Sequence, residues 1–166
     1  MSKQFWTFLG VGAVVVAIVV WFIWSGTESN HLTLSGKIIK VRSMPLEEGR
    51  TLVLVDFRVT NPTSVPLVVN EVSMSIEPPA GTPLKGQEVS KSDVDTMFAA
   101  HPILQPKFND VLAPPDQIPP GKTLDRMAEA SFEASGNQID SRKQVVVHIV
   151  DVDGAGFDIE EKPAAK

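Results

Sequence analysis

Thr51-Leu-Val-Leu-Val-Asp-Phe-Arg-Val-Thr60 is the stretch that decides the fold class of this chain. Val53, Val55, Phe57 and Val59 alternate with Leu52, Leu54, Asp56 and Arg58. Successive side chains of a strand point to opposite faces, so the first set forms one wholly apolar face. The second set begins apolar and turns polar, the pattern of a strand that dips from core to surface. Asn61-Pro62-Thr63-Ser64 then breaks the strand, because proline cannot continue a ladder and Asn favours a turn.

The same texture continues on either side. A first strand is expected over residues 32–43, followed by a turn at Glu47, Glu48 and Gly49. After the Asn-Pro break, residues 66–77 resume as strand, with Val68, Val72, Met74 and Ile76 on one face around Asn70. Pro78 to Gly81 turn the chain into a short run near residues 83–89. Ser92 followed by Asp95 resembles a capping box, which predicts a helix over residues 93–100 with Val94, Met97 and Phe98 facing inward. His101 to Gly121 holds six prolines and is expected to be a long loop strapped across the sheet. Strands are expected at residues 123–133 and 144–152, separated by a polar turn near residues 135–140. Six or seven short strands with regular turn signals predict a mainly β fold, an antiparallel β-sandwich over residues 32–160 with a frayed tail at 161–166.

Val55-Asp-Phe-Arg-Val-Thr-Asn61-Pro62-Thr-Ser-Val-Pro-Leu67 resembles the strand, Asn-Pro, strand signature of the late-embryogenesis-abundant type 2 and water-stress (WHy) domains. Ile118-Pro119-Pro120-Gly121, leading into the strand with Phe132, resembles the Pro-Gly element of such sandwiches. The similarity covers roughly residues 32–152, and the whole chain is similar to bacterial single-pass membrane proteins of this type. The central helix and long loop depart from the plain type 2 pattern. The resemblance implies an immunoglobulin-like sandwich and no catalytic residues.

Composition splits near residue 24. The first 24 residues carry one charged side chain, Lys3, and all three tryptophans, Trp6, Trp21 and Trp24. Phe5 to Trp24 is apolar apart from Thr7 and spans about 30 Å as a helix, the thickness of bilayer hydrocarbon. This predicts a single N-terminal transmembrane helix, with residues 1–4 in the cytoplasm and a linker at 25–31. The three tryptophans are expected to act as membrane-interface anchors. The stretch is long for a signal peptide and ends in Trp21, Phe22, Ile23 and Trp24, with no Ala-x-Ala after it. Lys3 on one side and Glu28 on the other favour a cytoplasmic N-terminus and an extracytoplasmic C-terminal domain at a bacterial inner membrane. Gly10, Ala13 and Ala17 stack on one side of the helix, a small-residue face against which another helix can pack.

Chemistry is sparsely signalled. Without Lys3, 14 basic residues stand against 20 acidic ones, a balance that argues against nucleic acid and gives no pull toward anionic lipid. Cysteine is absent, so no disulfide, thiolate site or lipid-modified cysteine is available. His31, His101 and His148 are far apart in sequence and read as ordinary surface histidines. Asp151-Val-Asp153-Gly154-Ala-Gly156-Phe-Asp158 resembles a calcium loop, but Ala155 and Lys162 fall where ligands are required, and a turn explains it better. No serine lies in a nucleophile motif, and no cofactor is expected.

These features together lead to the expectation of a non-enzymatic, membrane-anchored interaction or scaffold protein. Its partners would be the lipid bilayer and another membrane protein, as in an accessory subunit of a respiratory or photosynthetic envelope complex. The alternative is a ligand-binding or stress-protective domain with a groove between its sheets.

Overall fold

The computed structural model describes residues 14, 16–18, 34–46, 49–101 and 104–161. The chain divides into two units, Met1–His31 and Leu32–Lys166. In the first, Val14, Val16, Ala17 and Ile18 are helical and exposed. Trp6, Gly10, Ala13, Trp21 and Trp24 lie outside the described residues, as do the linker and the tail beyond residue 161. Among the described residues, no helix is long and apolar enough to cross a membrane.

The second unit is mainly β, with antiparallel sheets and short helices. Its elements are β1 (Ser35–Pro45), β2 (Thr51–Thr60), β3 (Leu67–Glu77), β4 (Leu84–Lys85), β5 (Gln87–Glu88), α1 (Lys91–Ala100), β6 (Gln117–Ile118), β7 (Thr123–Phe132), α2 (Gly136–Asp140), β8 (Gln144–Asp151) and β9 (Gly156–Glu160). One sheet has the order β1-β2-β7-β5, and the other β4-β3-β8-β9 with β6 also paired to β3. Their facing side chains share a core. Val53, Val55, Phe57 and Val59 meet Ala128, Ala130 and Phe132 of the same sheet, and Val69, Met74, Ile76, Val145, Val147 and Ile149 of the other. Burial of each Val, Ile, Met or Phe among them contributes on the order of 1.5–3 kcal/mol. The facing positions of the two sheets are therefore filled by packed side chains.

β2 departs from the one-sided strand that its sequence suggests. Leu52 and Leu54 belong to a second core on the outer face of the sheet, with Met44, Val94, Phe98, Leu104, Val111 and Met127. Asp56 is also buried, at 2% exposure, and Arg58 is the exposed residue of the strand. The reason is the cover supplied by α1 and the strap. Val94 and Phe98 are buried and Met97 is partly so, as the helix pattern predicts. The helix starts two residues earlier than read, because Ser90 rather than Ser92 caps it, its Oγ accepting from Asp93 N at 3.2 Å.

β3 shows a parity error with a physical cause. Val69 pairs with Asp151 but Glu71 pairs with Val150, so Asn70 is an extra residue in the ladder. Such a bulge flips which side chains face inward. Leu67 and Val69 enter the core before it, and Met74 and Ile76 after it, while Val68 does not. β1 has the same device at Ile39: Ile38 pairs with Phe57 and Lys40 with Asp56. Ile38 and Val41, three apart, both pack against the inter-sheet core, and Ile39 is left 49% exposed.

The sheets are tied at both sides. Gly86 alone separates β4, which pairs with β3, from β5, which pairs with β7. Its N–H donates to Met74 O at 2.8 Å, and a Cβ there would lie 2.5 Å from Ala130 Cβ. On the other side β9, a strand the sequence reading passed over as a turn, folds back along β8. Ile159 of β9 lies over Gly36 of β1, where a Cβ would come within 2.6 Å of its Cγ1.

The Asn-Pro break is a fully bonded turn. Asn61 is buried, its Nδ2 donates to Val65 O (2.8 Å) and Ile118 O (2.9 Å), and its Oδ1 accepts from Thr63 N (3.0 Å) and Thr63 Oγ1 (2.7 Å). Asn61→Ala takes its amide donor from the buried Ile118 carbonyl and removes one of the two side-chain donors to Val65 O, at a cost of about 1–3 kcal/mol. The expected readout is a lower urea midpoint at unchanged slope. A loss under about 0.5 kcal/mol, the range of ordinary surface changes, would show that the turn does not depend on these bonds.

Candidate functional site

The strap places the most distinctive surface of the described residues. After α1 the chain runs along the outer edge of β7, where Asp110 O accepts from Met127 N (2.9 Å) and Leu112 N donates to Met127 O (2.8 Å). Val111 thereby makes a parallel bridge to Met127. Asp116 O then accepts from Val69 N, and β6 pairs with β3, so the strap crosses from one sheet to the other.

Arg42 fastens the strap to the sheet. Its Nη1 donates to Leu104 O (2.6 Å) and Pro106 O (3.2 Å), and its Nη2 pairs with Asp56 Oδ2 at 2.9 Å. Asn109 Nδ2 completes the carboxylate by donating to Asp56 Oδ1 at 2.9 Å. The guanidinium also lies 5.5 Å from the Phe98 ring and 5.2 Å from the Phe108 ring. The Arg42 and Asp56 side chains are 11% and 2% exposed, so removing either one leaves a buried charge alone. Lys107 Nζ adds a second tie to α1, 2.7 Å from Asp95 Oδ1, and holds that carboxyl below its usual range through the hydrogen bond.

Beside this fastening lies an open groove of about 350 Å³, lined by Ile39, Lys40, Asp56, Arg58, Phe108, Asn109 and Asp125. Phe108 is 53% exposed, and Lys40 Nζ sits 4.9 Å from its ring centroid. Along the floor Arg58 pairs with Asp125 through both carboxylate oxygens, at 2.6 and 2.8 Å. Those hydrogen bonds hold Asp125 below the usual carboxylate range, against a smaller effect of burial, and the charges of Arg58 and Lys37 add to it. The groove is polar at its floor, apolar on its walls and cationic at its rim.

A second unusual group is Glu129, on the outer face of β7 opposite Leu54. Its Oε2 is buried with no hydrogen-bond partner among the described residues, and a cavity of about 30 Å³ beside it is walled by Glu88, Val89, Lys91, Leu112 and Ala113. Burial pushes the Glu129 carboxyl up to about 8, Glu88 and Asp95 push the same way, and Lys107 and Lys91 oppose them.

The remaining polar candidates have local partners. His148 contacts Asp158 across the β8–β9 ladder, and His101 caps the end of α1 with its backbone N–H. His31 lies outside the described residues. Asp151 Oδ1 accepts from Val68 N (3.0 Å) and Val152 N (2.8 Å), so this carboxylate closes the strand end at a hairpin turn. Among the described residues, no group of three or more His, Cys, Asp or Glu is placed to hold a metal ion.

No protein-family model matches the chain. No curated protein matches it either. The fold is similar to that of a conserved hypothetical protein from Bacillus anthracis, with 11% identity over 78% of this chain and 87% of that one and a TM-score of 0.43. It is also similar to a Northeast Structural Genomics Consortium target, with 11% identity over 79% of this chain and 83% of that one and a TM-score of 0.41.

The groove residues were not singled out in the sequence. Two signals were present: Lys37-Ile-Ile-Lys40 breaks the two-residue period at the bulge, and Phe108 is the one Phe, Trp or Tyr of the proline-rich loop from His101 to Gly121. Neither says which residues meet, because the strap reaches β1 and β2 over more than fifty positions of chain.

Glu129 carries a pH signature. The folded protein holds its proton up to about pH 8, whereas the unfolded chain releases it near 4.5. The folded state therefore binds more protons between those values. The contribution of Glu129 is fullest below 4.5, falls as pH rises, and levels off above about 8. The slope is at most about 1.4 kcal/mol per pH unit, and screening reduces it because the side chain is only partly buried. Glu129→Gln, neutral at every pH, is expected to flatten the fall in urea midpoint between pH 5 and 9. Parallel curves for the two proteins would rule this assignment out.

Proposed function

We propose that this chain is a membrane-anchored, non-enzymatic interaction protein, in which one transmembrane helix over residues 5–24 carries an immunoglobulin-like β-sandwich outside the cytoplasm. The observation that carries the interaction reading is the groove beside the strap, where Ile39 and Phe108 expose about half their surface around paired charges. Apolar side chains gathered at one concave place mark a contact surface far better than the same residues scattered singly. The apolar twenty-residue stretch with Trp6, Trp21 and Trp24 supports the anchor, and the Gly10, Ala13 and Ala17 face supports a partner helix in the same bilayer. The role that follows is that of an accessory subunit, bracing a larger envelope membrane complex from its extracytoplasmic side. A groove of this volume also falls in the range of small-ligand sites, which keeps a ligand-binding domain as the second reading.

Mild-detergent extraction from the native membrane is expected to yield the chain in a complex larger than its 18.0 kDa mass. Ala13→Leu with Ala17→Leu should release it from that complex while leaving it in the membrane fraction, since bulk on the helix face blocks close approach. A chain that migrates alone as a monomer before any substitution would remove the accessory-subunit reading. Activity of a cytoplasm-only reporter fused at Lys166 would reverse the orientation.

A further inference from the structure

We propose that the groove over β1, β2 and β7 binds an extended acidic segment of a partner protein, one that places a bulky apolar side chain next to a carboxylate. This rests on the interaction reading above and gives that surface its chemistry.

Charge decides the class of partner. At the groove Arg42 compensates Asp56, and Arg58 compensates Asp125. Lys40 is exposed over the Phe108 ring, and Lys37, also exposed and opposite Arg58, adds its charge beside the Asp125 carboxylate that Arg58 already pairs. The groove therefore keeps a local positive excess on a chain whose formal net charge is −5. A cationic patch on an acidic molecule attracts acidic segments while the rest of the surface repels them, which confines binding to this place.

Geometry decides the apolar half. Ile39 is outside the sandwich core because the β1 bulge leaves it without a cross-strand partner, and Phe108 stands on the strap held by Arg42 and Asn109. Both walls are therefore preorganised and remain exposed. An apolar side chain of the partner fills the space between them, and its neighbouring carboxylate reaches Lys40, which already lies over the Phe108 ring. A bilayer surface fits less well, because these apolar side chains line a recess, whereas lipid insertion needs them to protrude.

The test uses the full chain in detergent micelles and a fluorescein-labelled peptide, Asp-Phe-Asp-Leu-Glu-Phe, with Asn-Phe-Asn-Leu-Gln-Phe as its uncharged control, read by anisotropy. The acidic peptide is expected to bind saturably and about tenfold more tightly than the control. Binding should weaken with added salt, and by about tenfold in Lys40→Glu and in Phe108→Ala. Lys40 is exposed, so its variant tests the groove even if the aromatic substitution disturbs the strap. Equal affinity for the two peptides, or indifference to both variants, overturns the proposal. So does Lys40-dependent binding to phosphatidylglycerol vesicles without peptide binding, or Lys40-dependent self-association in sedimentation. If Lys40→Glu loses the peptide but keeps the native complex, the acidic-segment chemistry holds for the groove and that complex forms elsewhere. If the native complex persists and no peptide binds even the unaltered chain, the groove assignment falls while the interaction reading stands.

Discussion

Everything in the second unit hangs on a central strand buried on both faces. β2 lies between β1 and β7, and its two sets of side chains enter two different cores. A strand in that position needs a second layer on each side. The β3–β8 sheet covers one face, and α1 with the strap covers the other. Only the far end, at Arg58, is left open, and the groove lies there. The site is thus what remains of a sheet face after a helix and a loop have covered most of it.

This arrangement explains the buried charge. A strand covered on its outer face from Leu52 to Leu54 meets, two residues later, the boundary between covered and open surface. Asp56 sits at that boundary and is satisfied there by Arg42 and Asn109. Through Nη2 the carboxylate fixes the Arg42 guanidinium, whose Nη1 holds Leu104 O and Pro106 O. The polar cluster positions the strap, and the strap in turn positions Phe108.

The mainly β class, the antiparallel strands and the helix with Val94, Met97 and Phe98 were legible because each rests on local period and local breakers. Where the reading slipped, the cause was nonlocal. The parity of β3 changes at Asn70 because a bulge is recognised by its partner strand, and β9 is hidden because Asp151, Asp153, Gly154 and Gly156 just ahead of it read as a turn, although Phe157 and Ile159 alternate with Asp158 and Glu160. The second face of β2 was read as a passage to solvent because its cover comes from residues forty or more positions away. The groove is nonlocal in the same way: Ile39 and Lys40 come from the β1 bulge, Asp56, Arg58 and Asp125 from β2 and β7, and Phe108 and Asn109 from the strap.

The passage of the strap along β7 has a further meaning for how such molecules behave in a crowd. An exposed strand edge offers a ladder of unpaired amides to any extended chain, including another copy of itself. On β7, Gln87 and Glu88 occupy one part of that ladder, and Asp110 to Leu112 occupy the next through Met127. The second piece runs parallel to the strand and departs at once, ending in a proline pair at Pro114 and Pro115 that supplies no amide to a continuing ladder. The sheet therefore stops growing at a segment that has itself no means of passing the pattern on. Stickiness that would have been spread along this edge is withdrawn into the backbone.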